Sequence, residues 1–331
     1  MSNSRFDVLS IGNAIVDVLA RVDEPFLAKH QLAKGMMRLI DEATAEELFA
    51  DMGPATVISG GSAGNTAAGI ASFGGRSAYF GKIKQDQMGE LFGHDLRAQG
   101  VHFDSARAVN GPATARSFIL VTPDGERTMN TYLGACVNLT VADIVPEIVS
   151  GSAVTYMEGY LWDRPEAKEA FVKAAAIARK AGRKTAITLS DSFCVDRHRD
   201  SFLDLIRNQI DIVFANEAEI TSLYQTQDFS TALELAAEDC EVAVLTRSEK
   251  GCVVVSGDRL HTVPAHPIKK LVDATGAGDL FASGFLYGYT HGKPLDHCAR
   301  LGALAAAEVI SHIGARPEVN LAEHARKHGL M

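Results

Sequence analysis

Residues 272–285 read VDATGAGDLFASGF and place Gly276, Ala277 and Gly278 directly before Asp279 and a helix-like apolar run. Small residues at a helix start let backbone N–H groups approach a ligand closely, because few side-chain atoms intervene. The unpaired N–H groups and the positive end of the helix dipole favour an anion there. The stretch could therefore cradle a phosphate beside a carboxylate. The alternative is a tight turn in which Asp279 complements the helix dipole.

Two other stretches place polar residues after strand-like runs. In 59-SGGSAGN-65, adjacent glycines permit close approach of a ligand, and Asn65 offers both a donor and an acceptor. In 12-GNAIVD-17, Asn13 and Asp17 could bind sugar hydroxyls. Each stretch also has a structural reading, in which Asn65 is a helix cap and Asn13 and Asp17 are turn or surface residues.

A fourth stretch, 216-NEAE-219, places Asn216 and Glu219 on one face of a helix. Together they could hold hydrated Mg²⁺, which keeps most of its waters and takes few protein oxygens. The same spacing is also typical of a capping box, in which the two residues only close the helix start.

Composition excludes several classes of protein. The 331 residues carry a net charge of −9 and no Lys/Arg-rich run, which argues against nucleic-acid binding. Five scattered cysteines without a C-x-x-C pair indicate free thiols in a reducing compartment, so we expect a cytoplasmic protein. No apolar run approaches the length of a membrane span. The chain also lacks the G-x-G-x-x-G of dinucleotide enzymes and the P-loop of many ATPases.

Strand-like and helix-like patterns alternate along most of the chain. Strands separated by helices predict parallel βαβ units and a sheet covered on both faces. The rhythm breaks at 115–134, where two β-rich runs flank Pro123-Asp124-Gly125 and predict a hairpin. Residues 14–23 and 35–41 also favour strands, so these pieces could form a small separate sheet, in the manner of a lid.

Taken together and in order, GGSAGN near residue 60, NEAE near 216 and DATGAGD near 273 resemble the motifs of the ribokinase-like (PfkB) carbohydrate kinases. GNAIVD, GERTMNTYLGA, ITLSDSF and HIGARPE are most similar to the adenosine kinase branch. The resemblance covers essentially the whole chain. It implies a single kinase domain over 1–331, with a three-layer α/β core, a mostly parallel sheet covered by helices, and a β-sheet lid inserted at about 13–41 and 111–133.

The resemblance also implies transfer of the γ-phosphoryl group of ATP to a sugar hydroxyl, with Mg²⁺ and in some members K⁺. The catalytic residues would be Asp279 as base, Gly276, Ala277 and Gly278 as anion hole, and Arg127 on the lid. The acceptor would be held by Asn13, Asp17, Gly60, Gly61, Ser62, Asn65 and Asp279. The nucleotide would contact Asn216, Thr246, Ser248, Gly251, Gly276 and Gly278. The metal contacts would come from Asn216 and Glu219, through water to Mg²⁺, and from Asp273 to a monovalent cation.

Two positions depart from the family pattern. Ala274 stands where the family usually has Thr, and Thr275 could compensate for it. Residues 246–251 read TRSEKG, whereas the nucleotide loop of the family often reads T-x-G-x-x-G. Both departures affect the expected phosphate and nucleotide contacts rather than the expected base.

The predicted acceptor is adenosine, phosphorylated at its 5′-hydroxyl to give AMP, because the motifs resemble those of the adenosine kinase branch and the candidate pocket walls are apolar. These candidates are Met37, Leu39, Met129, Tyr160, Leu161 and Trp162. The alternatives are a kinase for another nucleoside or for ribose or fructose, and a nucleoside-binding protein without catalysis. We expect a monomer or homodimer whose ligands are small molecules.

Overall fold

The computed structural model describes residues 4–331, which form two β-sheets and the helices that cover them. The strands are β1 (Phe6–Ile11), β2 (Ile15–Arg21), β3 (Met37–Leu39), β4 (Ala55–Ser59), β5 (Ser77–Phe80), β6 (Ala115–Val121), β7 (Arg127–Tyr132), β8 (Ser152–Glu158), β9 (Lys184–Thr188), β10 (Ile212–Asn216), β11 (Val242–Thr246), β12 (Cys252–Ser256) and β13 (Arg259–Val263). The helices are α1 (Glu24–Lys29), α2 (Glu42–Asp51), α3 (Ser62–Ser72), α4 (Gln87–Ala98), α5 (Pro146–Ser150), α6 (Pro165–Lys180), α7 (Ser192–Gln209), α8 (Glu217–Leu223), α9 (Phe229–Asp239), α10 (Ala277–Thr290), α11 (Leu295–Val309) and α12 (Leu321–Lys327).

The larger sheet has eight strands in the order β13-β12-β11-β10-β9-β8-β1-β5, and only the β11-β12-β13 edge is antiparallel. Side chains alternate across it, as in β10, where Ile212 and Phe214 join a buried cluster with α10 and α11. Val213 and Ala215 point to the other face and join a cluster with α6 and α7. Strands that are buried on both faces explain the three-layer core that the sequence predicts.

The smaller sheet has five strands in the order β3-β7-β6-β2-β4. The predicted hairpin is confirmed, since β6 and β7 pair antiparallel around a turn in which Gly125 has φ 87°. β4 also joins this sheet, although it lies outside the ranges that the sequence indicates for the lid. It is a short edge strand that is largely exposed at its start, so its hydrophobic pattern is weak.

The parallel strands bring the candidate residues to one edge of the larger sheet. β1 pairs with β8, so that Asn13, shortly after β1, and Glu158, the last residue of β8, lie at neighbouring strand ends. β10 pairs with β11, which places Asn216 beside Thr246. Ligands of open α/β sheets bind at the carboxyl ends of the strands. The topology therefore assembles one candidate site from segments that lie far apart in sequence.

Among residues 4–331 there is no helix with the length and apolar character needed to cross a membrane. The largely buried helices α10 and α11 instead pack against each other beneath the sheet. Their close approach depends on Gly284, where a Cβ would lie 2.5 Å from the carbonyl oxygen of Leu301. That neighbour is backbone and has little freedom to move.

We expect Gly284→Ala to destabilise the protein by about 1–3 kcal/mol, because overpacking against rigid backbone outweighs the about 1 kcal/mol by which Ala favours a helix. Urea unfolding measures the change. Gly53→Ala is the matched control, since a Cβ there meets no atom of the described residues within 4 Å. Equal stability of Gly284→Ala and the wild type would contradict the packing described for α10 and α11.

Candidate active site

Asp279 lies in the first turn of α10, where it meets the first turn of α3. Its Oδ1 accepts a hydrogen bond from Ser62 Oγ at 2.6 Å, and its Oδ2 accepts one from Asn65 Nδ2 at 2.9 Å. Thr66 Oγ1 also donates to the backbone carbonyl of Asp279 at 3.2 Å. The two helix starts thus hold one carboxylate in a fixed position.

Burial raises the pKa of Asp279 above its usual value, and the bonds from Ser62 and Asn65 and the charge of Arg316 oppose this rise. Burial acts in this direction because it disfavours the charged form of a carboxyl group. A carboxylate with a raised pKa is a stronger base than one in water, so Asp279 is suited to accept a proton from a nearby hydroxyl.

The turn before Asp279 has the shape of an anion site. Gly276 adopts φ 78°, which disfavours any residue with a Cβ, and a Cβ there would lie 2.8 Å from the Cβ of Ala315. At Gly278 a Cβ would have no atom of residues 4–331 within 4 Å, so open space lies beside the turn. Ala277 begins the helix between them. The Ala277 N–H donates to the Ala274 carbonyl at 3.3 Å. The helix dipole and the unpaired N–H groups typical of a helix start favour an anion in this space.

Glu158 is a buried carboxylate at the end of β8 that joins two of the predicted acceptor segments. It accepts hydrogen bonds from Asn13 Nδ2 at 2.9 Å, from the Asn13 backbone N–H at 3.3 Å, and from the Ala63 N–H at 2.9 Å. Burial raises the pKa of Glu158 to about 7 against the opposing effect of these bonds. No motif in the sequence points to Glu158.

Asp17 projects from β2 onto the glycine pair of the 59–65 stretch. A Cβ at Gly60 would lie 2.2 Å from Asp17 Oδ2, and one at Gly61, which has φ 80°, would lie 2.2 Å from the carbonyl oxygen of Asn13. These glycines are therefore needed for the two segments to meet. Burial raises the pKa of Asp17 to about 7, the charge of Arg316 lowers it, and the charge of Asp279 raises it further.

The strand register puts the apolar lid residues on the same face as Asp17 and Arg127. Successive cross-strand rows on this face are Asp17, Ser117, Thr131 and Leu39, and then Leu19, Ile119, Met129 and Met37. Arg127 lies two residues from Met129 and therefore shares its face. Met37 and Leu39 remain 53% and 61% exposed, so this face of the lid presents apolar surface with space beside it.

On the core side, Tyr160 is 37% exposed, and its hydroxyl donates to the Ser190 carbonyl at 3.3 Å. Phe193, which the sequence analysis did not single out, is 73% exposed at the start of α7. The expectation that Leu161 and Trp162 line the pocket is wrong, because both are buried in the cluster beneath α6 and α7. Consecutive apolar residues such as 160–162 cannot be assigned to core or pocket from sequence alone.

Arg127 connects the lid to the DATGAGD stretch. Its Nη1 lies 2.6 Å from Asp273 Oδ2 and donates to Thr275 Oγ1 at 3.1 Å. Asp273 also accepts from the N–H groups of Thr275 at 3.0 Å and Gly314 at 2.9 Å. Arg127 Nη2 is buried and has no hydrogen-bond partner within the described part of the chain. One guanidinium nitrogen thus holds the lid in place while another remains available.

Asn216 and Glu219 form a capping box at the start of α8. Asn216 Nδ2 donates to Glu219 Oε1 at 2.6 Å, and the Glu219 N–H donates to Asn216 Oδ1 at 2.8 Å. Burial raises the pKa of Glu219 to about 7, with further contributions from the charges of Asp191 and Asp279. The N-x-x-E spacing therefore forms a capping box. The Mg²⁺ ion that would offset the negative charge of Glu219, Asp191 and Asp279 stays a prediction.

The predicted nucleotide residues follow β11, next to Asn216. Thr246 Oγ1 donates to the Ala215 carbonyl at 3.5 Å, which ties this strand end to β10. Ser248 has φ 52° and Gly251 has φ 87°. The loop therefore turns sharply although Ser248 stands where the family pattern often has glycine. The Gly251 N–H closes the turn by donating to the Ser248 carbonyl at 3.0 Å.

Arg316, in the C-terminal HIGARPE stretch, holds both ends of residues 59–65, the predicted acceptor loop. Its Nη2 donates to Ser59 Oγ at 3.0 Å and to the Ser59 carbonyl at 2.9 Å, and its Nη1 donates to the Gly64 carbonyl. Its charge lowers the pKa of both Asp17 and Asp279. The sequence contains this recognisable stretch, but Arg316 lies about 250 positions from Ser59, so its contact with Ser59 cannot be predicted from local pattern.

No group of three or more His, Cys, Asp and Glu side chains in residues 4–331 has the geometry of a metal site. The absence of such a group is compatible with Mg²⁺ binding, because Mg²⁺ takes only one or two protein carboxylates and completes its shell with water and phosphate. Glu219, buried among like charges, is a donor of that kind.

Comparison with known proteins places this geometry in a family. Two solved structures are similar over nearly the whole chain. An adenosine kinase from Sinorhizobium meliloti is 57% identical with a TM-score of 0.91, and the match covers 98% of this chain and 100% of the other. A probable sugar kinase from Rhizobium etli is 55% identical with a TM-score of 0.92, and the match covers 99% of this chain and 100% of the other. An uncharacterized sugar kinase from Archaeoglobus fulgidus is 32% identical over 75% of this chain and 96% of its own length.

The model of the pfkB family carbohydrate kinases matches residues 36–321, a range that contains the lid hairpin, the acceptor loop and the DATGAGD stretch. The larger sheet with its attached lid sheet is the architecture of the similar solved kinases. The predicted kinase class is therefore confirmed, and the chain belongs to the PfkB family of carbohydrate kinases.

Proposed function

We propose that this kinase transfers the γ-phosphoryl group of ATP to the 5′-hydroxyl of adenosine, giving AMP and ADP. The observation that carries the proposal is the position of Asp279 below an apolar lid face. Ser62 and Asn65 hold the carboxylate, and Met37 and Leu39 expose apolar surface on the lid face that carries Arg127. The site thus has a polar part around Asp279 and an apolar part on the lid, which match the sugar and the aromatic base of a nucleoside.

The division also favours a nucleoside over a free sugar. Asn13 and Asp17 supply polar groups for the hydroxyls of the ribose, and the lid rows through Met37 and Leu39 supply contact for a purine. A free sugar would leave both apolar side chains without a partner. The 57% identical adenosine kinase from Sinorhizobium meliloti supports the same acceptor.

In the proposed reaction, the 5′-hydroxyl oxygen attacks the γ-phosphorus while the bond to ADP breaks. The hydroxyl proton passes to Asp279, which the bonds from Ser62 and Asn65 keep in place. The N–H groups of the Gly276–Gly278 turn stabilise the charge of the transferring group. Arg127 Nη2 is available for a phosphate oxygen while Nη1 remains on Asp273. Positioning and charge carry most of the catalysis, as is usual for phosphoryl transfer.

The remaining contacts of ATP are assigned on the basis of position. Thr246, Ser248 and Gly251 lie at the strand end beside Asn216 and would contact the nucleotide. Asn216 and Glu219 would hold Mg²⁺ through water. Bound Mg²⁺ supplies charge neutralisation for the phosphates. Asp273 would contact a monovalent cation such as K⁺ through its carboxylate, and Arg127 already contacts that carboxylate.

A kinase for a free sugar is the second candidate, because the Rhizobium etli and Archaeoglobus fulgidus proteins are named as sugar kinases. An acceptor panel separates the two. Purified protein with Mg²⁺-ATP is offered adenosine, inosine, guanosine, ribose and fructose, and the phosphorylated product is quantified. We expect kcat/KM for adenosine to exceed that for ribose about 100-fold, since burying the base contributes about 3 kcal/mol. A higher kcat/KM for ribose or fructose would contradict adenosine as the acceptor.

Gly278→Ala tests the anion site. Its Cβ would enter the open space beside the turn, so we expect the free energy of unfolding to stay within about 0.5 kcal/mol of the wild type. If phosphate occupies that space, kcat falls about 100-fold, a loss typical of one missing oxyanion contact. Gly53→Ala, which also adds a methyl group in open space, serves as the control and keeps full activity. Wild-type turnover of Gly278→Ala would place the phosphate elsewhere.

A further inference from the structure

Glu158 fixes the orientation of one acceptor-site amide. Both of its oxygens receive N–H groups: Asn13 Nδ2 bonds to Oε1, while the backbone N–H groups of Asn13 and Ala63 bond to Oε2. An ionised carboxylate only accepts hydrogen bonds, so the Asn13 amide turns its NH₂ group toward the ionised form of Glu158. The carbonyl Oδ1 of Asn13 then points away from Glu158.

That oxygen has no hydrogen-bond partner among residues 4–331. Asn13 is 3% exposed, and its Oδ1 is buried without a hydrogen bond from any described residue. Asn65 repeats the pattern, because its NH₂ group donates to Asp279 while its Oδ1 is buried and unpaired within residues 4–331. A buried carbonyl oxygen without a donor is costly. The site therefore presents two oriented acceptors, and a ligand with hydroxyl donors would satisfy both.

We propose that Glu158 is a positioning residue for the phosphoryl acceptor: by fixing the Asn13 amide, it makes Asn13 Oδ1 a hydrogen-bond acceptor for a sugar hydroxyl. This inference rests on the proposed function only in requiring a hydroxylated acceptor at Asp279. The chain leaves space for the carboxylate at Gly12, where a Cβ would lie 2.2 Å from Glu158 Oε2. Glu158 itself contacts the segments that bind the acceptor and not the reacting atoms.

Glu158→Gln inverts this orientation with little change in shape. The two backbone N–H groups at the Oε2 position cannot turn, so the amide oxygen of Gln must occupy that position. Its NH₂ group then faces the Asn13 side chain, which must flip to offer its own oxygen. Asn13 consequently presents NH₂ where it had presented Oδ1, and the sugar hydroxyl loses its acceptor.

A reciprocal swap tests the proposal. In Glu158→Gln/Asn13→Asp, the NH₂ group of the glutamine donates to one aspartate oxygen, and the other aspartate oxygen restores the acceptor. We expect Glu158→Gln to raise the acceptor KM about tenfold, the loss of about one hydrogen bond, with the KM for ATP unchanged. Asn13→Asp alone should raise it further, because two carboxylates then face each other. The double variant should return to within about threefold of the wild type.

Steady-state kinetics with the best acceptor from the panel measures all four proteins, so the test remains valid if that acceptor is a sugar and adenosine fails. Asp211→Asn is the matched control: Asp211 accepts the Thr185 N–H at 2.7 Å at the opposite edge of the sheet, and both KM values should stay unchanged. A wild-type acceptor KM in Glu158→Gln would overturn the proposal. So would a double variant no better than Glu158→Gln. If Glu158→Gln does not fold, the double variant is compared with the wild type, and an acceptor KM far above the expected threefold range would overturn the proposal.

Discussion

The active site depends on two helix starts that share one carboxylate. Ser62 and Asn65 from α3 and Asp279 from α10 can bond only if both helices approach closely along their length. Small residues permit this approach, as at Gly69, where a Cβ would lie 2.4 Å from Ser283 Oγ. Both helix dipoles then point toward the same position, which favours negative charge there. The proposed base and the proposed phosphate site thus arise from a single packing arrangement.

Two arginines hold the surrounding segments to this arrangement. Arg316 bonds to both ends of the acceptor loop, and Arg127 bonds the lid to Asp273. Both guanidinium groups also lower the pKa of Asp17, whose burial next to Asp279 would otherwise favour the neutral form. Positive charge from distant parts of the chain therefore offsets the cost of gathering carboxylates in a partly buried site.

The sequence predicts the α/β core, the lid hairpin and the motif around Asp279, because each depends on local periodicity or on residues close together in the chain. It does not identify Glu158 or Arg316, whose roles depend on contacts with Asn13 and Ser59 across long sequence distances. A hint for Glu158 exists, since it is the one charged residue of β8. The apolar segment 160–162 divides between pocket and core, and only the packing of Trp162 against Phe171 and Phe202 resolves that division.

Asp279 is proposed to remove the proton from the acceptor hydroxyl, and the variant Asp279→Asn isolates this step. The amide keeps one oxygen for Ser62 or Asn65 but lacks the basicity of the carboxylate. The account predicts that kcat falls about 100-fold or more, while the Kd of the acceptor, measured by calorimetry, changes only a few-fold. A variant that binds the acceptor and retains the kcat of the wild type would contradict the account.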